Sequence, residues 1–197
     1  MKGGQADYNF LASETGFHGT LDTLECLRGV PLITLKSVIS KTRSPWDYSA
    51  LASSWLPRVD GTLIKDYPQQ SLLSAEFPPI PFIMGNTDNE GTIFSMSSRN
   101  VTTDEQFRRY TRLVYLSTAT DKEAADLFDY YPANVTQGSP FETGTRGALT
   151  PQFKRISALN GDLVFQAPRR LLLDTAKSKR WTYKYRRHKW TPRYARG

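Results

Sequence analysis

A short apolar run that leads into an acidic, glycine-bounded loop is the feature that most constrains how this chain can fold. The run is Phe82-Ile83-Met84, and its uninterrupted apolar character is typical of a strand buried on both faces of a parallel sheet. The loop that follows contains Asp88 and Glu90 between two glycines. Of the two, Asp88 better fits a turn-stabilising role. The end of a strand is a good position for a catalytic acid, so we expect this loop to present one carboxylate.

Helix signals dominate the chain beyond this loop. Thr103 and Thr120 each begin a capping box, in which the threonine and a residue three positions later bond each other's backbone. Thr150-Pro151 predicts another helix start, and Asn160-Gly161 predicts its end. Residues 180–185 alternate charged and aromatic side chains as an edge strand does. Helices between two well-separated strands predict an α/β fold rather than a helical bundle.

Weaker signals organise the first half of the chain. Residues 5–28 predict a helix, a loop and a short second helix, and residues 32–39 favour another short helix. Residues 55–66 look extended, with a hairpin or turn at Asp60-Gly61. Farther along, residues 136–149 are rich in Gly, Ser and Thr and form the longest predicted loop.

Length and composition allow one ordinary domain with its own core, because 39% of the 197 residues are apolar and 12% are aromatic. The first residues contain no apolar stretch of the kind that a signal peptide needs, and the longest purely aliphatic run is Leu171-Leu172-Leu173. We therefore expect neither a signal peptide nor a membrane span in this sequence. Two sequons, at Asn100 and Asn134, would accept N-linked glycans if the chain entered a secretory route.

Positive charge is concentrated in a basic tail, residues 177–197, which contains nine Lys and Arg residues and no acid. Residues 1–176 hold the other 17 basic residues against all 19 acidic ones. Aromatic side chains interleave with the cations of the tail: Trp181, Tyr183, Tyr185, Trp190 and Tyr194. That pattern is found in stacking platforms for single-stranded nucleic acid. Since no nucleic-acid-binding motif occurs elsewhere, we favour a strand with solvated cations and expect no nucleic-acid partner.

Residues for metal and disulfide chemistry are scarce. Cys26 is the only cysteine, so no disulfide can form within the chain and no cysteine-based metal site exists. The two histidines, His18 and His188, lie far apart in different sequence contexts. Metal-ligand spacing is therefore absent, and we expect no metal site.

Five short segments form a series along the chain: Leu24-Glu25-Cys26-Leu27-Arg28, Val59-Asp60-Gly61, Asn89-Glu90-Gly91-Thr92, Asn160-Gly161-Asp162 with Phe165, and Trp181-Thr182-Tyr183. In this order they resemble the C-terminal half of the type-B carboxylesterases, the family of fungal lipases and cholinesterases. The resemblance implies the C-terminal part of an α/β-hydrolase, with few sheet strands and several packing helices. It also implies a carboxylic ester or lipid substrate, an extracellular location and no cofactor.

The resemblance implies that Glu90 is the acid of a catalytic triad. In this family a serine attacks the acyl carbonyl, a histidine relays the proton, and the acid orients the histidine and stabilises its imidazolium. The chain contains neither a Gly-x-Ser-x-Gly nucleophile elbow nor a Gly-x-x-His loop. Thr191-Pro192 begins the family's segment before that histidine, but no histidine follows. We therefore expect residues 1–197 to be a partial carboxylesterase domain, a C-terminal fragment that is inactive alone.

The missing parts lead to further expectations. The family pairs the cysteine that matches Cys26 with one nine positions earlier, where this chain has Phe17, so that loop disulfide is lost. The family's N-terminal half would supply most of the sheet, so the strand at residues 82–84 should have an unpaired edge and an exposed apolar face, which invite self-association. The alternative function is a non-catalytic protein whose basic aromatic tail binds a partner, a polyanion or nucleic acid.

Other candidate catalytic residues have weaker support. His188 lies among three cations, which disfavour its protonation, and His18 precedes the acid, against the order of the α/β-hydrolase triad. Ser95, Ser97 and Ser98 lack the flanking glycines of a nucleophile elbow. We interpret His18 as a surface loop residue and the serines as ordinary polar residues.

The apolar faces of the two capped helices have two interpretations. They comprise Phe107, Tyr110, Leu113 and Val114 on the first helix and Ala124, Leu127, Phe128 and Tyr131 on the second. Such periodic faces are core by default, but the carboxylesterase superfamily lines an acyl pocket with such residues. The sequence does not separate these two roles.

Overall fold

The structure is a computed structural model that describes residues 4–51, 53–75 and 77–186. The expectations for His188, Trp190 and the rest of residues 187–197 lie outside the described residues. Within the described part of the chain, no helix is long and apolar enough to cross a membrane.

Three short helices form a small N-terminal cluster, as the sequence predicts. They are α1 (Gln5–Glu14), α2 (Thr23–Arg28) and α3 (Leu32–Ile39). Leu11, Leu27 and Val38 are buried at its centre, and Phe17 packs against them. An aromatic ring therefore takes the position at which the carboxylesterase-like disulfide would have its second cysteine. Cys26 is a free thiol.

The segment between α3 and the sheet contains one short helix, α4 (Pro68–Leu73), and no strand among its described residues. The turn predicted at Asp60-Gly61 is present, with both backbone nitrogens donating to the Ile64 carbonyl, but residues 55–66 form no strand pair beside it. Instead, the carboxylate of Asp60 accepts three backbone hydrogen bonds from residues 62–64, each at 2.9 Å. These bonds hold the pKa of Asp60 below its ordinary value. They satisfy the backbone locally, in place of a cross-strand ladder.

The rest of the chain forms a helical body around the main core. Its elements are α5 (Gly91–Phe94), a 3-10 turn (Ser95–Ser98), α6 (Asp104–Val114), α7 (Asp121–Asp129), α8 (Phe153–Gly161), a π-helical turn (Asp162–Gln166) and α9 (Ala167–Thr175). Both predicted capping boxes are present, at Thr103 and Thr120. The core consists of Val101, Phe107, Tyr110, Ala124, Phe128, Ile156 and Leu159. The prediction for Leu113 is wrong: it is 68% exposed, because the buried stripe of α6 runs through Thr111 instead.

The start of α8 differs from its prediction, whereas its end at Gly161 agrees with it. Phe153, not Pro151, begins the helix, and the carbonyl of Thr150 closes a turn by accepting a hydrogen bond from the Phe153 backbone. Gly161 is the last residue of α8, and the π-helical turn follows it directly. It is in close contact with Gly91, where an added Cβ atom would come within 2.4 Å of the Gly161 nitrogen. Two glycines thus let α5 and α8 touch, and the chain continues through the π-helical turn into α9.

Two parallel strands form the sheet of the described residues: β1 (Phe82–Thr87) and β2 (Arg180–Tyr185). Phe82 pairs with Arg180 at one end and Thr87 with Tyr185 at the other. Both predicted strands are therefore present. The expectation that β1 is buried on both faces is wrong, because Ile83 is 69% exposed.

The two faces of the sheet have different surroundings, since alternate side chains of a strand point to opposite faces. One face meets the helical body, where Arg169 of α9 donates a hydrogen bond to the Thr182 hydroxyl at 2.5 Å. On the other face every large side chain is half exposed or more. We call it the outer sheet face; it consists of Ile83, Trp181, Tyr183 and Tyr185.

Candidate functional site

Glu90 lies in the loop that follows the carboxyl end of β1, directly before α5. The side chain is partly buried. Its Oε1 atom accepts a hydrogen bond from the backbone nitrogen of Thr87 at 2.6 Å. None of the described residues donates a hydrogen bond to its other carboxylate oxygen. One oxygen is therefore fixed by the loop, while the other is available as an acceptor.

A cleft of about 120 Å³ opens beside Glu90. Its walls come from the acidic loop, the long loop after α7, the connection between α8 and α9, and β2. The side chains with charged or amide groups are Asp88, Glu90, Asp162, Gln166, Arg170 and Lys184. Tertiary structure thus brings three carboxylates and two cations from distant segments into one polar cleft.

Asp88 is buried and ion-paired, which separates its role from that of Glu90. Lys184 Nζ lies 2.5 Å from one carboxylate oxygen of Asp88, and Arg186 Nε lies 3.3 Å from the other. Asp88 is only 7% exposed. The turn-stabilising role predicted for Asp88 does not include these two ion pairs. The carboxylate joins the ends of β1 and β2, and the two cations offset the free-energy cost of burying it.

The long loop predicted at residues 136–149 is fixed on both of its sides. Asn89 Oδ1 accepts hydrogen bonds from the Ser139 hydroxyl at 3.2 Å and from the Phe141 backbone at 2.9 Å. From α8, the buried ammonium group of Lys154 donates two hydrogen bonds to the loop, both at 2.7 Å. Burial lowers the pKa of Lys154. These bonds hold one wall of the cleft against the acidic loop.

The three serines that follow the acidic loop bond backbone carbonyl groups. The buried hydroxyl of Ser95 donates to the Gly91 carbonyl at 2.8 Å and accepts from Asn160 Nδ2 at 2.9 Å. Ser97 and Ser98 also donate to backbone carbonyls, at 2.6 and 2.9 Å. None of the three lines the cleft. Their hydroxyl groups hold α5 and the 3-10 turn in place.

The π-helical turn brings two side chains to the cleft that the sequence did not single out as site residues. Asp162 accepts a hydrogen bond from the Tyr131 hydroxyl at 2.9 Å, and Gln166 Nε2 donates to the carbonyl of Thr87 at 3.4 Å. Burial, followed by the nearby charge of Asp162, raises the pKa of Tyr131. Turns of this type are rare and often lie at functional sites. The end of α8 at Gly161 was predicted, but not the π-helical turn that follows it.

A stack of three aromatic rings involves residues close in sequence to the cleft residues Gly91 and Gln166. Phe94 of α5 stacks on Trp46 with ring centroids 4.9 Å apart, and on Phe165 of the π-helical turn at 5.8 Å. Ile93 and Met96, which flank this stack in sequence, are also exposed. The aromatic residues whose role the sequence left open lie in the main core instead: Phe107, Tyr110 and Phe128.

The remaining candidates lie apart from this cleft. His18 is exposed in a turn, which agrees with its interpretation as a surface loop residue, and His188 lies outside the described residues. Cys26 is partly exposed and unpaired. Among residues 4–51, 53–75 and 77–186, no group of three or more His, Cys, Asp or Glu side chains could hold a metal ion.

Comparisons with known proteins show strong sequence similarity. The model of the carboxylesterase family matches residues 4–195. The chain is 43% identical over 167 residues to Lipase 2 of Diutina rugosa, covering 85% of this chain and 30% of that protein. It is 37% identical over 173 residues to Secreted lipase 1 of Botryotinia fuckeliana, covering 88% and 30%. The chain therefore spans about 30% of the length of these curated relatives.

The fold is similar to that in the crystal structure of Aspergillus niger EstA. The TM-score is 0.68 at 21% sequence identity, and the match covers 91% of this chain and 34% of that one. Identity this low supports a statement about fold alone. The match confirms the predicted architecture, the C-terminal part of an α/β-hydrolase with few strands and several packing helices.

Proposed function

This chain belongs to the carboxylesterase family, and we propose that residues 1–197 form the acid-bearing part of a domain that hydrolyses carboxylic esters. The basic tail at residues 177–197 belongs to the same partial domain in this proposal. The nucleophilic serine and the histidine are supplied by protein beyond the region matched here, which is about 30% of the relatives' length.

The geometry of Glu90 is the observation that carries the proposal. A triad acid must accept a hydrogen bond from the imidazole and stabilise the imidazolium that forms when the serine loses its proton. Thr87 holds one oxygen of Glu90 at 2.6 Å, which fixes the carboxylate while leaving its second oxygen without a donor among the described residues. The side chain also borders a cleft, where an imidazole could approach it.

The other two carboxylates of the cleft are less suited to this role. Asp88 already has an ion pair on each oxygen, to Lys184 and to Arg186, so an imidazolium would have to compete with two cations. Asp162 accepts the Tyr131 hydroxyl and lies on the helical side of the cleft, not at the end of a strand. Glu90 alone combines the strand-end position with a free acceptor atom in the described structure.

A carboxylic ester or a lipid is the proposed substrate class. The stack of Trp46, Phe94 and Phe165 offers partly exposed apolar surface, against which an acyl chain could be sheltered from water. We place the protein outside the cell, because one of its relatives is named a secreted lipase. Electrostatic stabilisation of the oxyanion by backbone amides would come from the part of the domain that carries the serine.

The chain alone should not hydrolyse p-nitrophenyl esters above the buffer rate, because an acid without a nucleophile and a base cannot transfer an acyl group. Purified residues 1–197 are assayed with short-chain and long-chain p-nitrophenyl esters and with a fluorophosphonate probe. Saturable labelling of one serine would show that this sequence has its own nucleophile and would contradict the proposal.

A chimera tests the role of Glu90 directly. The segment of Lipase 2 of Diutina rugosa that aligns with this chain is replaced by this chain's own residues. Glu90→Gln should then lower kcat by roughly 10⁴-fold with little change in KM, as expected when a triad acid loses its charge. The matched control, Asp162→Asn, should retain activity. A chimera that melts cooperatively but hydrolyses no ester, or one that tolerates Glu90→Gln, counts against the assignment.

A further inference from the structure

The sequon Asn134-Val135-Thr136 lies on the surface, in the loop that follows α7. Asn134 and Thr136 are exposed, as are the flanking Pro132, Ala133 and Gln137. None of these residues lines the cleft beside Glu90. A large group attached here would therefore extend into solvent and leave the ester site open.

Hydrogen bonds within the sequon leave one atom free. Asn134 Oδ1 accepts from the backbone nitrogen of Thr136 at 3.0 Å and from the Thr136 hydroxyl at 2.8 Å. The amide nitrogen, Nδ2, donates to none of the described residues. Of the two polar atoms of this exposed side chain, the oxygen thus holds the turn, while the nitrogen has no partner among the described residues.

We propose that Asn134 is an N-linked glycosylation site whose co-substrate is a lipid-linked oligosaccharide. In this transfer Nδ2 loses one proton and forms a bond to C1 of the first sugar. The bond between C1 and the pyrophosphate oxygen of the lipid breaks, and the lipid pyrophosphate leaves with its electron pair and, overall, takes up the proton that Nδ2 loses. The inference rests on the extracellular location in the proposed function, since the transfer takes place in the secretory route.

The second sequon has a different environment and serves as an internal comparison. Asn100 is exposed, but the next residue, Val101, is 2% exposed and belongs to the main core. The hydroxyl of Thr102 donates to Gln106 Oε1 at 3.1 Å, in the start of α6. This sequon is therefore part of a helix start and of the core, whereas the sequon at Asn134 is surrounded by exposed loop.

A plain turn is the competing explanation for Asn134, and it makes a different prediction. A turn of this kind needs only a side-chain oxygen at position 134, which Asp supplies as well as Asn. Asn134→Asp therefore keeps the turn and removes the acceptor nitrogen. Thr136→Ser keeps the sequon, while Thr136→Ala destroys it without changing Asn134.

The full chain, fused to a cleavable leader, is expressed in a yeast that performs N-glycosylation, and leader-cleaved protein is collected from both medium and membranes. We expect one glycan on the peptide that contains Asn134, detected by mass spectrometry and removed by a glycosidase without denaturation. It should be lost in Asn134→Asp and Thr136→Ala and retained in Thr136→Ser, with occupancy of Asn100 unchanged in all three.

Leader-cleaved protein with an unmodified Asn134 would overturn the inference. Cleavage of the leader proves that the chain entered the secretory route, where the enzyme that transfers the oligosaccharide acts. So would a glycan that survives in Asn134→Asp at the same peptide. The chimeric lipase assay is independent of this result: loss of the glycan with retained hydrolysis, or the reverse, distinguishes a failed acceptor site from a failed assignment of the ester site.

Discussion

The helical body and the two-stranded sheet differ in how completely they bury their apolar side chains. Phe107, Ile156 and Leu159 of the main core are fully buried, whereas Ile83 and Trp181 of the outer sheet face are 69% and 54% exposed. Full burial of a side chain of this size contributes roughly 1.5–3 kcal/mol. The helical body therefore stabilises itself, while the sheet is held mainly by its backbone ladder, since all six residues of β2 are exposed and β1 is only partly buried. Pairing in a sheet therefore does not mean that a strand is buried.

The two regions also differ in which charge is buried. In the helical body it is a cation: the Arg155 side chain is 5% exposed, pairs with Asp104 at 2.5 Å and lies 3.8 Å above the Phe107 ring. At the end of the sheet it is an anion, Asp88, with half-exposed cations around it. Removing the partner of a buried charge lowers the free energy of unfolding more than removing the partner of an exposed charge. Loss of the half-exposed Asp104 should therefore destabilise the helical body.

The largest difference in unfolding free energy between the two regions is expected when one side chain in each is truncated to alanine. Phe107→Ala should lower the free energy of unfolding by roughly 3–5 kcal/mol, because it leaves a cavity in the main core. Trp181→Ala should change it by less than about 1 kcal/mol, since the ring is half exposed. Urea unfolding followed by circular dichroism measures both. Equal losses of unfolding free energy would contradict the proposed difference between the helical body and the sheet.

The contact between the acidic loop and the helical body should show the next largest loss of stability on substitution. In Gly91→Ala the new Cβ would lie 2.1 Å from the Ser157 carbonyl, so backbone must shift at a cost of about 1–3 kcal/mol. Gly29→Ala is the matched control: its Cβ would meet only the Cys26 carbonyl, at 3.4 Å. Thermal melting should separate the two variants clearly; a stable Gly91→Ala protein would mean that the loop and α8 are loosely packed.

Acid should weaken the helical body through Asp104. Hydrogen bonds from Arg155, and next from Arg108, hold the pKa of Asp104 below its ordinary value. A carboxyl whose pKa is lowered on folding adds stability above its unfolded pKa, near ~3.9, and loses that contribution as the pH falls through the folded pKa. Asp104→Asn should therefore be less stable than wild type at pH 7, and the difference should shrink in acid. Unfolding measured across this range tests it; a constant difference would rule it out.

Self-association should depend on the outer sheet face and not on exposed apolar residues in general. Ile83→Lys should shift any concentration-dependent oligomer towards monomer, because a charge on an open sheet opposes edge and face contacts. Leu113→Lys on the helical body is the matched control, since Leu113 is 68% exposed and Ile83 69%. Sedimentation velocity at several concentrations compares them. If both variants dissociate the oligomer equally, the sheet has no special role.

The smallest effect is expected for nucleic acid. Lys184 and Arg186 are already paired with Asp88, which reduces the positive charge available beside the aromatic rings of β2. Binding of single-stranded oligonucleotides should be weak, fall with salt and be insensitive to Trp181→Ala. Fluorescence anisotropy at several salt concentrations measures this. Tight binding at physiological salt that is lost in Trp181→Ala, where stacking is worth roughly 1–3 kcal/mol, would favour the alternative function of the basic tail.

Elements set by neighbouring residues were predictable from the sequence. The capping boxes at Thr103 and Thr120 form as predicted, because each is closed by hydrogen bonds between residues three apart. The strand at residues 82–87 and the position of Glu90 at its end follow from the apolar run and the glycine-bounded loop. At Asp60-Gly61 the sequence left a hairpin or a turn open, and the turn forms because the Asp60 carboxylate bonds three nearby amides.

What the sequence by itself determined is the family resemblance, the succession of elements and the strand-end acid; only the tertiary structure decided what surrounds them. Gly161 ends α8 as the sequence predicts, but only the tertiary structure makes it a point of close packing against Gly91. Asp88 looked like a turn residue, but β2 brings Lys184 to within 2.5 Å of it. Local patterns fix bonds between near neighbours. Packing and ion pairs depend on which distant segments the folded chain brings together.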